Sequence, residues 1–160
     1  MTSFGAMLAV GTVLVATGCR VKIREIPVKK QILGARVRYT MANFSIVAPA
    51  SWGPLTVRNQ IGGRAAEQRI EFETPDRGRI IARSYADQPK DSIENWITSL
   101  IEPDMNRKSI VVDGKPGLEY SNRNKKWVFV SWGNRILVVY VRQVDDQAQV
   151  SKVVNSIQLD

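Results

Sequence analysis

The chain has 160 residues and a formal net charge of +8, and its 44% hydrophobic and 24% charged residues are the proportions of an ordinary globular protein. It contains one cysteine and no histidine, which excludes an intrachain disulfide and a cysteine-built metal cluster. The absence of histidine also removes the side chain that most often moves protons or holds transition metals near neutral pH.

The first element is an uncharged apolar stretch from Ala6 to Gly18, ending at Cys19 and closed by Arg20. A membrane-spanning helix needs roughly twenty apolar residues, so this shorter run reads instead as the apolar region of a secretory signal peptide. Val15-Ala16-Thr17-Gly18-Cys19 resembles the lipobox of bacterial lipoproteins. In that family a cysteine thiol receives diacylglycerol and a peptidase cuts before it. The resemblance implies that Gly18 is the last residue removed and that Cys19 carries the lipid. Two features depart from the family pattern: Ala16 stands where leucine is usual, and the leader MTSFG has no Lys or Arg. Arg20, where many enteric lipoproteins carry an Asp that retains them in the inner membrane, implies an outer-membrane destination in a Gram-negative cell.

Most of the charge is concentrated next. Residues 20–40 contain Arg20, Lys22, Arg24, Lys29, Lys30, Arg36 and Arg38 against Glu25 alone, and so account for +6 of the net +8. A basic strip beside an acylated residue is attracted to anionic head groups by about 1 kcal/mol per Lys or Arg near the surface. Acyl chains contribute roughly 0.8 kcal/mol per buried methylene, so the lipid would hold the protein while Arg20, Lys22, Arg24, Lys29 and Lys30 press its base onto the membrane. With Pro27 breaking any period, the segment reads as a tether that becomes extended near Gly34, followed by a short strand at Arg36–Tyr39.

Asn43–Pro49 is a strand with Phe44 and Ile46 on one face. It runs into a Pro/Gly-rich corner, residues 49–54, where Trp52 folds back over the core. Gly62-Gly63 marks a bend and no phosphate loop, because the Lys-Ser/Thr of such loops is missing. Ala66–Glu73 alternates, with Ile70 and Phe72 inward and Arg69, Glu71 and Glu73 outward. The turn Thr74-Pro75-Asp76-Arg77-Gly78 then returns the chain along Arg79–Tyr85. Asp91 and Glu94 form a capping box for a helix whose apolar stripe is Ile93, Trp96, Ile97 and Leu100. Ser109–Asp113 and Leu118–Asn122 make a hairpin. Lys126–Trp132 and Arg135–Val141 make another across Gly133-Asn134, apolar enough to be central and covered on both faces. Asp145 or Asp146 caps a last helix with Val150, Val153, Val154 and Ile157 on one side. The expected fold is therefore α+β, an antiparallel β-sheet with two amphipathic helices packed on it. Its expected divisions are a signal peptide at 1–18, a lipidated basic tether at 19–40 and a globular domain at 41–160.

Phe44-Ser45-Ile46-Val47-Ala48-Pro49-Ala50-Ser51-Trp52 resembles the opening of PsbP-like domains, and Ser92-Ile93-Glu94-Asn95-Trp96-Ile97 their middle helix. Val112-Asp113-Gly114-Lys115-Pro116-Gly117 and Val153-Val154-Asn155-Ser156-Ile157 resemble their later turn and closing helix. The resemblance, over about Asn43 to Leu159, implies a PsbP-like α/β sandwich with a binding or assembly role and no shared active site.

No catalytic constellation outweighs a simpler explanation. Asp145-Asp146 is better explained as a helix cap than as a metal pair, and Glu71 with Glu73 as a solvated face beside Arg69. Trp96 and Trp127 read as core. Trp52 and Trp132, at strand ends beside glycines, are the candidate protein-binding aromatics. The expected function is that of a non-enzymatic, membrane-anchored envelope lipoprotein that binds or helps assemble a membrane-associated protein complex. It would have no cofactor, no metal and no nucleic-acid partner. A lipid or small-ligand carrier with an apolar cavity, and a carboxylate enzyme with an acidic cleft, are the alternatives.

Overall fold

A computed structural model describes residues 22–62, 66–86 and 90–160, with the side chains of 90–94 outside the description. Cys19, Gly18 and Arg20 therefore lie outside the described residues, as do the side chains of the Asp91–Glu94 capping box.

The strands are β1 (Arg24–Glu25), β2 (Lys29–Leu33), β3 (Arg36–Thr40), β4 (Phe44–Pro49), β5 (Pro54–Ile61), β6 (Glu67–Glu73) and β7 (Arg79–Tyr85). Helix α1 (Lys90–Leu100) separates these from β8 (Asn106–Val112), β9 (Lys115–Ser121), β10 (Lys125–Trp132) and β11 (Arg135–Arg142). Helix α2 (Gln147–Asn155) and β12 (Gln158–Leu159) follow. All pairings are antiparallel and form two sheets, eight strands in the order β1-β5-β6-β7-β11-β10-β9-β8 and four in the order β12-β4-β3-β2.

This overturns the expected α+β sandwich of one sheet under two helices. The protein is mostly β, and the layer facing the large sheet is a second sheet with the short α2 beside it. The correction comes from the N-terminal third. The stretch read as a tether holds β1 and β2, and the short strand expected at Arg36–Tyr39 is β3. β1 joins the large sheet through Arg24↔Ile61 and Glu25↔Gln60, and β2 and β3 build the small sheet onto β4. The fully exposed β2 and the mainly exposed β5 bury neither face well enough to impose an apolar alternation on their sequences.

The main core fills the space between the sheets. Phe44, Ile46 and Ala48 of β4 meet Ile70 and Phe72 of β6, Val128 and Val130 of β10, and Leu137 and Val139 of β11, with Val150, Val153 and Val154 closing it from α2. The opposite face of the large sheet carries a smaller cluster, Phe129, Ile136 and Val138, covered by Trp96, Ile97, Leu100 and Ile101 from α1 and its end. β10 and β11 thus alternate between two buried faces, which is why they read as almost continuously apolar.

Local turn chemistry agrees with the sequence in several places. Asp113 and Gly114 both have positive φ (47° and 72°), the two-residue geometry for which Asp-Gly is favoured. Asp146 caps α2, its side chain accepting the Gln149 amide at 2.9 Å. Gly78 is required by packing, because a Cβ there would stand 2.4 Å from the Gln143 carbonyl oxygen.

Candidate functional site

The basic N-terminal segment is a fixed edge of the body. Lys22, Arg24, Lys29 and Lys30 are all exposed, and among them stand the exposed apolar side chains Ile23 (44%), Ile32 (80%) and Leu33 (39%). On β2, alternation places Lys30 and Ile32 on one face and Lys29, Gln31 and Leu33 on the other. The Lys30 ammonium lies 5.9 Å from the centre of the Tyr39 ring, where ring and cation attract. Burial in turn pushes the Tyr39 hydroxyl above its usual pKa.

Asn59, a buried residue of β5, holds this edge in place. Its backbone N–H donates to the Glu25 carboxylate at 3.1 Å and its carbonyl accepts from the Ile26 N–H at 2.9 Å. Its side-chain amide donates to the Pro27 carbonyl at 3.5 Å and accepts from the Ala42 N–H at 2.8 Å. A second buried amide pair continues inward, with Asn43 donating to Gln68 at 2.5 Å and Gln68 donating to the Gln60 carbonyl. Sequence reasoning missed Asn59 and Gln68, because a polar residue in a strand ordinarily signals the solvent face. The Asn43 side-chain amide is thus spent inside the protein.

The two candidate aromatics are not a joint exposed anchor. Trp52 is only 6% exposed and belongs to the main core, as its folding back over that core requires. It borders a surface basin of about 460 Å³ with Pro49, Thr74, Asp76, Val144 and Gln149. Trp132 is half-buried at the β10–β11 turn, where its indole N–H and the Arg135 guanidinium both donate to the Asp160 carbonyl, at 3.0 and 2.7 Å. No ring contact joins the two among the described residues. Trp127 stacks at 6.0 Å on Phe129 and lies 4.2 Å from Tyr140, and Trp96 meets Tyr85 edge-on at 5.6 Å. Both are half-buried.

The carboxylates are engaged structurally. Glu71 points away from the main core, as the alternation requires, yet it is buried between Arg69 at 2.7 Å and Arg79 at 3.0 Å. Glu73 stays exposed, so the pair does not act as two neighbouring free acids. Asp76 accepts from the Thr74 hydroxyl and, at 2.7 Å, from the Asp145 N–H, and these two bonds hold its carboxyl below the usual range. Lys125 is raised by its bond to Glu102. Among the described residues no group of three or more Asp, Glu, Cys or His side chains is placed to hold a metal, and no helix is long and apolar enough to cross a membrane.

No protein-family model matches the chain, and no curated protein matches it.

Proposed function

We propose that the protein is a non-enzymatic lipoprotein of a bacterial envelope, anchored through an acylated Cys19, which rests its β1–β2 edge on the membrane and binds or helps assemble a membrane-associated protein complex. The supporting observation is the edge itself, where exposed Ile23, Ile32 and Leu33 stand among exposed Lys22, Arg24, Lys29 and Lys30 in the segment that follows Cys19. Apolar side chains between cations suit the head-group boundary, where the former enter the lipid and the latter meet anionic phosphates.

The test is fractionation of cells expressing the full chain, with intact mass measured on the membrane-bound product. The expected result is a protein starting at Cys19, heavier by an acylated glycerol, that moves to the soluble fraction when Cys19→Ser is introduced. Recovery of the full-length, unmodified chain in the soluble fraction overturns the reading. Cross-linking in solubilised membranes that yields no reproducible protein neighbour removes the assembly role and leaves the anchor.

A further inference from the structure

Arg36 and Arg38 stand two residues apart on β3 and so project from the same face of the small sheet. They line an open basin of about 420 Å³, whose walls are completed by Leu33 of β2, Val47 of β4, Asp113 and the α2–β12 corner at Asn155–Gln158. Both Nε atoms are buried and neither has a hydrogen-bond partner, and neither guanidinium enters an ion pair among the described residues. Unpaired Nε atoms also occur at Arg69 and Arg83, so what singles this place out is two guanidinium side chains lining one basin with no carboxylate bound to either among the described residues, an arrangement that suits an anion.

Ser156 and Asp113, two other polar residues of the lining, are already engaged. The Ser156 hydroxyl accepts the Val47 N–H at 2.9 Å and donates its one hydrogen to the Val153 carbonyl at 2.6 Å. Asp113 accepts the Leu159 N–H at 2.8 Å. The formal charge of the lining is two guanidinium groups against one carboxylate, a surplus of one positive charge. A single fork satisfies a two-oxygen carboxylate, whereas two side-by-side forks bracket the several oxygens of a tetrahedral anion.

We propose that the Arg36–Arg38 basin binds a phosphate group, either the phosphodiester of an anionic lipid head group or free phosphate. Leu33, exposed and part of the basin lining, would place the acyl side of a lipid beside the basin. Only the lipid source leans on the membrane-surface reading above. Phosphate recognition itself does not need Cys19 to be acylated.

The experiment uses the full-length Cys19→Ser chain, so that no acyl group contributes. Arginine Nε–H resonances are followed during titration with inorganic phosphate, and separately binding is measured to phosphatidylcholine vesicles with and without phosphatidylglycerol. Saturable movement of the Arg36 and Arg38 signals with inorganic phosphate establishes the site with free phosphate as a ligand. No movement with phosphate, combined with phosphatidylglycerol-dependent binding that falls about tenfold or more in Arg36→Gln/Arg38→Gln, assigns the lipid head group. Arg107→Gln/Lys108→Gln, which removes the same charge from exposed positions on β8, separates site loss from general charge loss and leaves phosphate affinity unchanged. Arg36→Lys keeps the charge without the fork and loses part of the affinity. Immobile Nε signals together with equal vesicle binding by the two double variants overturn the proposal. The wild-type titration decides the phosphate arm even where the arginine variants fold poorly.

Discussion

The hairpin β10–β11 and the hairpin β2–β3 are built from the same kind of connection, two strands joined across two residues, yet they have opposite characters. β10 and β11 lie between β7 and β9 in the large sheet and bury Val128, Val130, Leu137 and Val139 on one face and Phe129, Ile136 and Val138 on the other. β2 is an outer strand of the small sheet and is exposed along its whole length. The first hairpin is where stability is concentrated, and the second is where the surface is left available. Substitutions should therefore separate into those that unfold the protein and those that change only what it touches.

The largest effect should come from the inter-sheet core. Phe72→Ala removes a fully buried ring that lies 5.5 Å from Tyr39 and should cost about 3–5 kcal/mol in chemical denaturation. A cost near zero would mean that the two sheets are not packed on each other there. Next comes Glu71→Gln, which leaves Arg69 and Arg79 without their anion on a buried site and should cost about 1–3 kcal/mol. Arg79→Ala should cost under about 1 kcal/mol, because that guanidinium is half exposed and solvent screens it. Equal losses for the two would show that burial of Glu71 is not what matters.

Ile32→Asn with Leu33→Asn should change stability by no more than about 0.5 kcal/mol. It should nevertheless weaken binding to anionic vesicles roughly fivefold or more, read by co-sedimentation. A drop in melting temperature instead would move β2 from the surface category into the core one. The smallest effect is electrostatic. The Asp76 carboxyl has a lowered pKa in the folded state, so its contribution is present above the ordinary aspartate range and is lost as pH falls through the lowered folded value. Asp76→Asn should flatten that acid limb of the stability profile while altering neutral-pH stability only slightly, since the group is exposed to solvent. An unchanged acid limb would remove Asp76 from the account.

What could be read from the sequence follows the same division. The β6–β7 and β10–β11 hairpins and the Asp146 cap are visible because buried faces force alternation and tight turns force particular residues. Gly133 and the Asp113-Gly114 pair are examples, all with positive φ. β2 and β5 are not visible. They meet solvent along most of their length, so charge and Pro27 mask an extended chain that only its partners define. Missing them turned a two-sheet fold into a one-sheet expectation. The Arg36–Arg38 basin was illegible for a related reason. The two arginines were visible as charge, but their shared cavity depends on β4 and the α2–β12 corner, which arrive from distant parts of the chain. Asn59 is harder still, because its role lies in four bonds to two distant segments, residues 25–27 and Ala42, rather than in any local pattern.

The pairing of β1 with β5 sets a leash length. Strand β1 starts at Arg24, five residues after Cys19, and five residues reach at most about 18 Å even when fully extended. A slack chain from Cys19 to residue 40 would have reached about 75 Å by the same rule. With the cysteine acylated as proposed, this protein cannot patrol the periplasmic depth in search of a distant target. On that reading it would be confined to a thin layer over the lipid, and anything it binds would have to be held there too.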